Sequence, residues 1–291
     1  MTDTTVDKAV ADWEKTWEEI YDGRRRTMRR DSDEREYWSL RAEDFSDSRS
    51  TKDFEYGRRV LEKLWGAAVG PDSVVLDVGA GPGTFVIPFA RRVRRIDALE
   101  PAPGMVATIR KNADVNGIEN FRVIESTWQE AGLTNPGRRY DLVIGSLVLF
   151  VFRDLWRQLT RMEEASRGFC CIVTGVKGLQ AGEDELWSRL MGDRPCPWSS
   201  GLEFPLVFNL LHSKGRAANV GIIRYASERS VENKVRHRTF FFQRYRELAP
   251  EEKQLIHEHY AARARGGRVR EDGRAAVTWW PVPDGDVHED R

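Results

Sequence analysis

Apolar positions in this chain recur in two rhythms. Val6, Val10, Trp13, Trp17 and Ile20 follow one another at four, three, four and three residues, which predicts a helix over residues 5 to 21. Its single narrow seam suits one partner, either a second subunit in a homodimer or this protein's own core. Val60, Leu61, Leu64 and Trp65 repeat the helical spacing within residues 54 to 65, and Gly66 is placed to end the element. After the turn Gly70-Pro71-Asp72, the run Val74-Val75-Leu76 fits a strand covered on both faces. The two rhythms then alternate: helix 83–93, strand 95–99, helix 103–115, strand 121–125, strand 140–145, helix 153–165 and strand 168–174. Such alternation predicts an α/β fold with a doubly wound, mostly parallel sheet.

Beyond residue 180 the alternation breaks. A helix near 182–191 runs into Gly192-Asp193-Arg194-Pro195-Cys196-Pro197-Trp198, too rich in proline to continue any element. An apolar helix over 203–213 stops at Gly215. Asn219–Tyr225 and Ala275–Trp280 read as two late strands that bring the sheet to seven. Phe240-Phe241-Phe242 and a helix from about Pro250 lie between them. The expected organisation is an N-terminal helical segment over 1–50 acting as lid or oligomer contact, and an α/β core over 51–180. Cap helices and the last two strands follow over 181–283, and a frayed polar tail over 284–291.

Composition narrows the partners. In 291 residues, Lys plus Arg and Asp plus Glu number 46 each, so no net field draws the protein to nucleic acid or an anionic membrane. Five arginines between Arg24 and Arg30 form a candidate phosphate-binding patch. Asp31, Asp33, Glu34 and Glu36 follow at once, which favours a self-neutralised, solvated segment. The N-terminus lacks a basic-then-apolar signal pattern, and no stretch approaches the roughly 20 apolar residues that cross a bilayer, so the expected location is the cytoplasm. Three cysteines make no disulfide framework. Cys170 and Cys171 lie in an apolar run and are expected to be buried thiols, whereas Cys196 stands between prolines and is a candidate reactive thiol. No metal is expected, because no paired Cys or His spacing is present.

The chemistry concentrates at Asp77-Val78-Gly79-Ala80-Gly81-Pro82-Gly83, a strand end followed by three glycines at alternate positions and then a helix. That layout places an adenosyl ligand at the carboxyl edge of a parallel sheet. A dinucleotide turn reads G-x-G-x-x-G after apolar strand residues, and its last glycine or alanine is Thr84 here. Asp77 instead offers a carboxylate, which suits the amino group of a methionine moiety better than a pyrophosphate. Twenty-three residues on, the strand Arg95–Leu99 ends in Glu100, positioned to accept hydrogen bonds from ribose hydroxyls.

With these two motifs the sequence resembles the class I S-adenosylmethionine-dependent methyltransferases, of the small-molecule type 11 or type 25 kind, over about residues 52 to 176. The resemblance implies their Rossmann-like fold and S-adenosylmethionine as cofactor. It implies that Gly79 and Gly81 line the methionine and ribose, that Glu100 holds the ribose, and that Met105 or Pro101 covers the adenine. Ala80 and Gly83 of the same turn and Ser146 after the fourth strand complete the candidate cofactor set. One position departs from the family: an acid often follows the third strand, and Thr127 stands there, with Trp128 beside it as a stacking surface.

Methyl transfer from a sulfonium depends on alignment, which can supply roughly 7–11 kcal/mol of barrier reduction, so no dedicated base is compulsory. The fourth strand runs into Gly145-Ser146-Leu147-Val148 and lacks the Asn/Asp-Pro-Pro-Tyr/Phe segment of many adenine and glutamine amino methyltransferases. The Pro195-Cys196 pair follows the fifth strand, not the fourth as in cytosine carbon methyltransferases, and reads as loop. The substrate-pocket candidates are Tyr37, Trp38, Arg41, Tyr56, Phe150 and Trp198, with Arg41 a candidate anchor for a substrate carboxylate or phosphate. His212, alone on an apolar helix, is the first-choice base, although such a histidine is more often structural. The leading expectation is methylation of a small, partly aromatic or apolar molecule. The alternatives are an RNA or protein methyltransferase using Arg24–Arg30, a cofactor-binding accessory protein without turnover, and a dehydrogenase.

Overall fold

Val74-Val75-Leu76 lies at the centre of the sheet, in β1 (Val74–Val78), whose five residues are all buried. Alternate side chains enter two apolar layers: Val75 meets one, and Val74, Leu76 and Val78 meet the other. The computed structural model describes residues 4–29, 33–133, 139–176, 183–194 and 201–283, with the side chains of all of these except 4–12, 183 and 184.

Around β1 lie β2 (Arg95–Leu99), β3 (Phe121–Ile124), β4 (Tyr140–Ser146), β5 (Ser166–Gly175), β6 (Asn219–Ser230) and β7 (Arg268–Pro281). Their order in the sheet is β3-β2-β1-β4-β5-β7-β6. The first five strands are mutually parallel, and β7 runs antiparallel to both of its neighbours. The expected doubly wound, mostly parallel, seven-stranded sheet is therefore present.

The helices are α1 (Thr4–Thr27), α2 (Glu34–Leu40), α3 (Ala42–Ser50), α4 (Glu55–Leu64), α5 (Val86–Ala90), α6 (Pro103–Val115) and α7 (Leu155–Ala165). They continue with α8 (Glu183–Met191), α9 (Glu203–Ser213), α10 (Val231–Gln243) and α11 (Pro250–Ala261). Helices α4, α5 and α6 cover one face of the sheet, and α1, α7 and α9 cover the other. A separate core of Leu186, Trp187, Phe242, Tyr245, Ile256 and Tyr260 joins α8, α10 and α11 into a cap. Among the described residues, no helix is long and apolar enough to cross a membrane.

Several boundaries differ from the sequence expectation. Helix α1 continues to Thr27 and takes in Arg24, Arg25 and Arg26. Its seam packs on this chain: Trp17 is 1% exposed in the layer with α7 and α9, and its indole Nε1 donates to the Phe152 carbonyl at 2.6 Å. That face is thereby covered without a second subunit. The arginine segment is not simply solvated. Arg24 is buried against Glu203 at 3.0 Å, Arg25 pairs with Glu34 at 3.4 Å and Arg29 with Glu247 at 3.6 Å. Asp33 instead caps α2, accepting from the Arg35 N–H at 2.8 Å.

Helix α10 was not anticipated, because three consecutive phenylalanines break the amphipathic period. It starts where Ser230 Oγ accepts the Asn233 N–H at 3.1 Å. Strands β6 and β7 both extend past their apolar cores into a ribbon paired as far as Ser230 with Arg268. Arg224, Glu228, Arg270 and Asp272 disguise that extension as loop. Cys170 and Cys171 are buried in β5, and Cys196 lies outside the described residues.

One buried ion cluster ties the far edge of the sheet together. Glu163 on α7 binds Arg216 at 2.7 and 2.8 Å and accepts from the Trp280 indole of β7 at 2.8 Å. Glu163→Ala leaves a guanidinium and a buried indole N–H without their acceptor, and is expected to lower unfolding free energy by about 3 kcal/mol. Urea denaturation of the two proteins checks this, and an unchanged midpoint contradicts it.

Candidate functional site

The strand order reverses between β1 and β4, and a crevice opens beyond the carboxyl ends of strands at such a point. A cavity of about 300 Å³ lies there. Its floor is the end of β1 with the glycine turn, flanked by Glu100 after β2, Ser126–Gln129 after β3 and Ser146–Phe152 after β4. Helices α2 and α3 supply Trp38, Phe45 and Arg49 as its cover.

That cover is latched to the sheet. Arg35 Nε donates to the Pro101 carbonyl at 3.1 Å, and the Gly104 N–H donates to Ser39 Oγ at 3.2 Å. A Cβ on Gly104 would stand 2.5 Å from the Ser39 carbonyl oxygen, so α2 seats where α6 has no side chain. Buried Asn112 on α6 completes the link, donating to Ser46 Oγ of α3 at 2.9 Å and to the Pro82 carbonyl of the turn at 2.8 Å.

The turn itself requires glycine at two points. Gly79 has φ +72°, and a Cβ there would meet Val148 Cγ1 at 2.6 Å. Gly81, at φ +56°, aims its N–H at Glu100 Oε2, 2.8 Å away. Gly83 is a correction to the expected cofactor set. It is not among the cavity-lining residues; it packs beside Val86 of α5 and Ile109 of α6, and its φ of +86° is what favours glycine there.

Asp77 and Glu100 both line the cavity while being 2% and 6% exposed. Burial, reinforced by the charge of Glu100, pushes the Asp77 carboxyl well above the usual carboxylate range. Among the described residues, its side chain has no hydrogen-bond partner. Burial likewise pushes Glu100 up to about 7, against the opposing pull of the Ala102 and Gly81 N–H groups, 2.9 and 2.8 Å from its two oxygens. Two carboxyls in one dry site favour a ligand that brings positive charge and hydrogen-bond donors. The sequence-predicted Ala80, Pro101, Met105, Thr127, Trp128 and Ser146 line the same cavity. Thr127 donates to Glu130 Oε2 at 2.7 Å, so an acid does stand behind the position where the family often has one. Trp128 is buried with its indole N–H unpartnered, and the Arg161 guanidinium lies 5.3 Å from its ring centre.

Trp38, Tyr56 and Phe150 also line the cavity. Trp38 lies 5.6 Å from Phe150 and 6.1 Å from Phe45. Tyr56 shares a 2.7 Å hydrogen bond with Ser146 Oγ, and burial raises its pKa, so it remains a neutral phenol. Tyr37 and Arg41 are corrections: neither lines the cavity. Tyr37 packs edge-on behind Trp38 at 5.1 Å, and Arg41 bonds the Tyr37 hydroxyl and lies 4.9 Å from the Trp38 ring. His212 is also corrected. It sits exposed on the last turn of α9, off the buried stripe of Leu206, Val207, Leu210 and Leu211, and it does not line the cavity. Trp198 lies outside the described residues.

Sequence reasoning missed Arg49, Phe85 and Leu147, which also line the cavity. Leu147 adopts φ +55°, a left-handed conformation uncommon for a branched residue and concentrated at functional sites, and no sequence signal marks it. Among the described residues, no group of three or more His, Cys, Asp and Glu could hold a metal ion.

Comparison with known proteins gives this site a family context. Residues 75–167 match the family model described as Methyltransferase domain. An uncharacterized protein of Haemophilus influenzae is 24% identical over 254 residues, 84% of this chain and 88% of that one. A 23S rRNA (uracil(1939)-C(5))-methyltransferase RlmD of Stenotrophomonas maltophilia is 47% identical, but over 51 residues that make up 12% of its length. Among solved structures, a Bacillus halodurans protein provisionally designated a methyltransferase superposes with TM-score 0.50 and 14% identity, covering 80% of this chain and all of that one. The fold is thus the Rossmann-like fold seen in methyltransferases, and residues 75–167 at its centre match the methyltransferase domain.

Proposed function

We propose that this enzyme methylates a small, largely aromatic or apolar molecule by in-line displacement. The observation that carries the reading is one cavity lined by two chemistries, the buried carboxyls of Asp77 and Glu100 and the aromatic side chains of Trp38, Tyr56 and Phe150. Asp77 suits the ammonium of the methionine moiety, because it is a buried carboxyl without an internal partner. Glu100 suits the ribose hydroxyls, and the Gly79 cradle admits a ligand where a Cβ would collide. Bound there, S-adenosylmethionine supplies an electrophilic methyl group on a sulfonium that leaves as a neutral thioether. The protein's task is orientation, roughly 7–11 kcal/mol of barrier where alignment is good. The acceptor lone pair forms the new bond to carbon, the carbon–sulfur pair stays on sulfur, and an acceptor proton passes to solvent. No histidine among the described residues lines the cavity, in keeping with a reaction that needs no strong base.

An RNA acceptor has less support. Arg24, Arg25 and Arg29 are paired with carboxylates, which leaves them poor counterions for a phosphate backbone. The likeness to the rRNA methyltransferase is too short to carry an acceptor. A nicotinamide dinucleotide fits worse still, because its pyrophosphate would face two buried carboxyls.

Asp77→Asn and Glu100→Gln each remove a charge-assisted interaction of about 1.5–3 kcal/mol, so each is expected to weaken S-adenosylmethionine binding about tenfold to a hundredfold. Titration calorimetry on folded variants tests this, and unchanged affinity in both contradicts the assignment. The same carboxyls set a pH dependence. Burial raises both pKa values in the free protein, that of Glu100 to about 7, so Glu100 is partly protonated near neutrality, and a cationic, hydrogen-bond-donating ligand selects the ionised form. Affinity is therefore expected to rise with pH through neutrality, by about tenfold or more per pH unit below 7. A flat profile between pH 5.5 and 8.5, at about the spacing that single-proton linkage would resolve, contradicts this.

A further inference from the structure

Among the described residues, three arginines are buried without a salt-bridged carboxylate, although the charge of Glu271 is felt at Arg229. Arg41, Arg49 and Arg229 are 4%, 8% and 7% exposed, and the Nε of each is buried and unpartnered. The nearby acids are engaged elsewhere: Glu271 with Lys234, Glu34 with Arg244 and Asp44 with Arg236. Arg41 has the Tyr37 hydroxyl, and Arg229 has Ser48 Oγ at 3.3 Å. Arg49 has only ring faces, Phe45 at 5.0 Å, Tyr56 at 4.8 Å and Tyr225 at 5.8 Å. A guanidinium does not deprotonate to escape burial, so three of them in one dry region call for an anion.

Their placement says where that anion sits. Arg49 and Arg229 both face Phe45, at 5.0 and 5.9 Å, and Arg41 faces Trp38, which is itself in contact with Phe45. Trp38, Phe45, Tyr56 and Arg49 line the same cavity as Asp77 and Glu100. The cations also depress one another. Burial and the charges of Arg49, Arg41 and Arg238 bring Arg229 down to about 10, and burial with Arg41, Arg229, Lys234 and Arg238 keeps the neighbouring His237 neutral.

We propose that Arg49, backed by Arg41 and Arg229, is an oxyanion subsite of the acceptor pocket, and that the acceptor is a small aromatic molecule bearing a carboxylate or phosphate. The planar fork of Arg49 presents paired donors to such a group while the rings of Phe45, Trp38 and Tyr56 hold its body. Within one cavity the acids then hold the cationic methyl donor and Arg49 holds the anionic acceptor. This assignment rests on the methyltransferase reading above.

The test uses protein saturated with S-adenosylhomocysteine, with binding of benzoate, phenyl phosphate and the neutral isostere benzamide followed by thermal shift and calorimetry. At least one anionic probe is expected to bind at least tenfold more tightly than benzamide, with the ranking of benzoate and phenyl phosphate identifying the oxyanion. Arg49→Met and Arg229→Met, which remove unpaired buried cations, are expected to fold with unchanged or higher Tm and to lose that preference. Equal affinity for benzoate, phenyl phosphate and benzamide in the wild type overturns the subsite, as does a preference that survives both substitutions. S-adenosylhomocysteine affinity separates the two levels of the account: its loss in the wild type removes the donor site itself, whereas its retention without an anion preference removes only the arginine subsite.

Discussion

Asp77 and Glu100 are two carboxyls held close together in a place that water barely reaches, and much of the surrounding structure follows from that constraint. Burial pushes both towards protonation, and the charge of Glu100 adds to the push on Asp77. Glu100 is steadied by the N–H groups of Gly81 and Ala102, which also fix the shape of the glycine turn. Asp77 has no such support and is left to a ligand. The reversal of strand order between β1 and β4 brings this pair to an open crevice, and α2 and α3 cover the crevice through Pro101, Gly104 and Asn112. The segments that position the acids thus also anchor the cover.

The cover of the cavity and the arginines around it come from elements outside the α/β core. Arg41 and Arg49 come from the N-terminal helices and Arg229 from the far end of β6, where it donates to Ser48 of α3. The extended β6–β7 ribbon thereby contributes the Arg229 guanidinium that faces Phe45 of the cover.

The α/β core was legible because its signals are local. Strand β2 and helices α6 and α9 fall where apolar period and punctuation put them, and the Asp77 turn with Glu100 marked the donor side of the cavity. The remainder was hidden for identifiable reasons. Charged residues in alternation concealed the outer halves of β6 and β7, and Phe240-Phe241-Phe242 carried no period from which to read α10. His212 was misplaced, although the stripe formed by residues 206, 207, 210 and 211 leaves position 212 facing outward. Arg49 and Arg229 escaped notice because arginine in a polar stretch ordinarily means surface, and only tertiary packing shows these two to be interior.

The central claim, that the Asp77–Glu100 site is built for a cationic adenosyl ligand, is tested most directly by titrating the wild-type protein with S-adenosylmethionine and, separately, with NAD at neutral pH. The account predicts saturable binding of S-adenosylmethionine at one site per chain, displaced by S-adenosylhomocysteine, with no comparable response to NAD. Saturable binding of NAD in preference to S-adenosylmethionine, or the absence of binding by the latter, would contradict it.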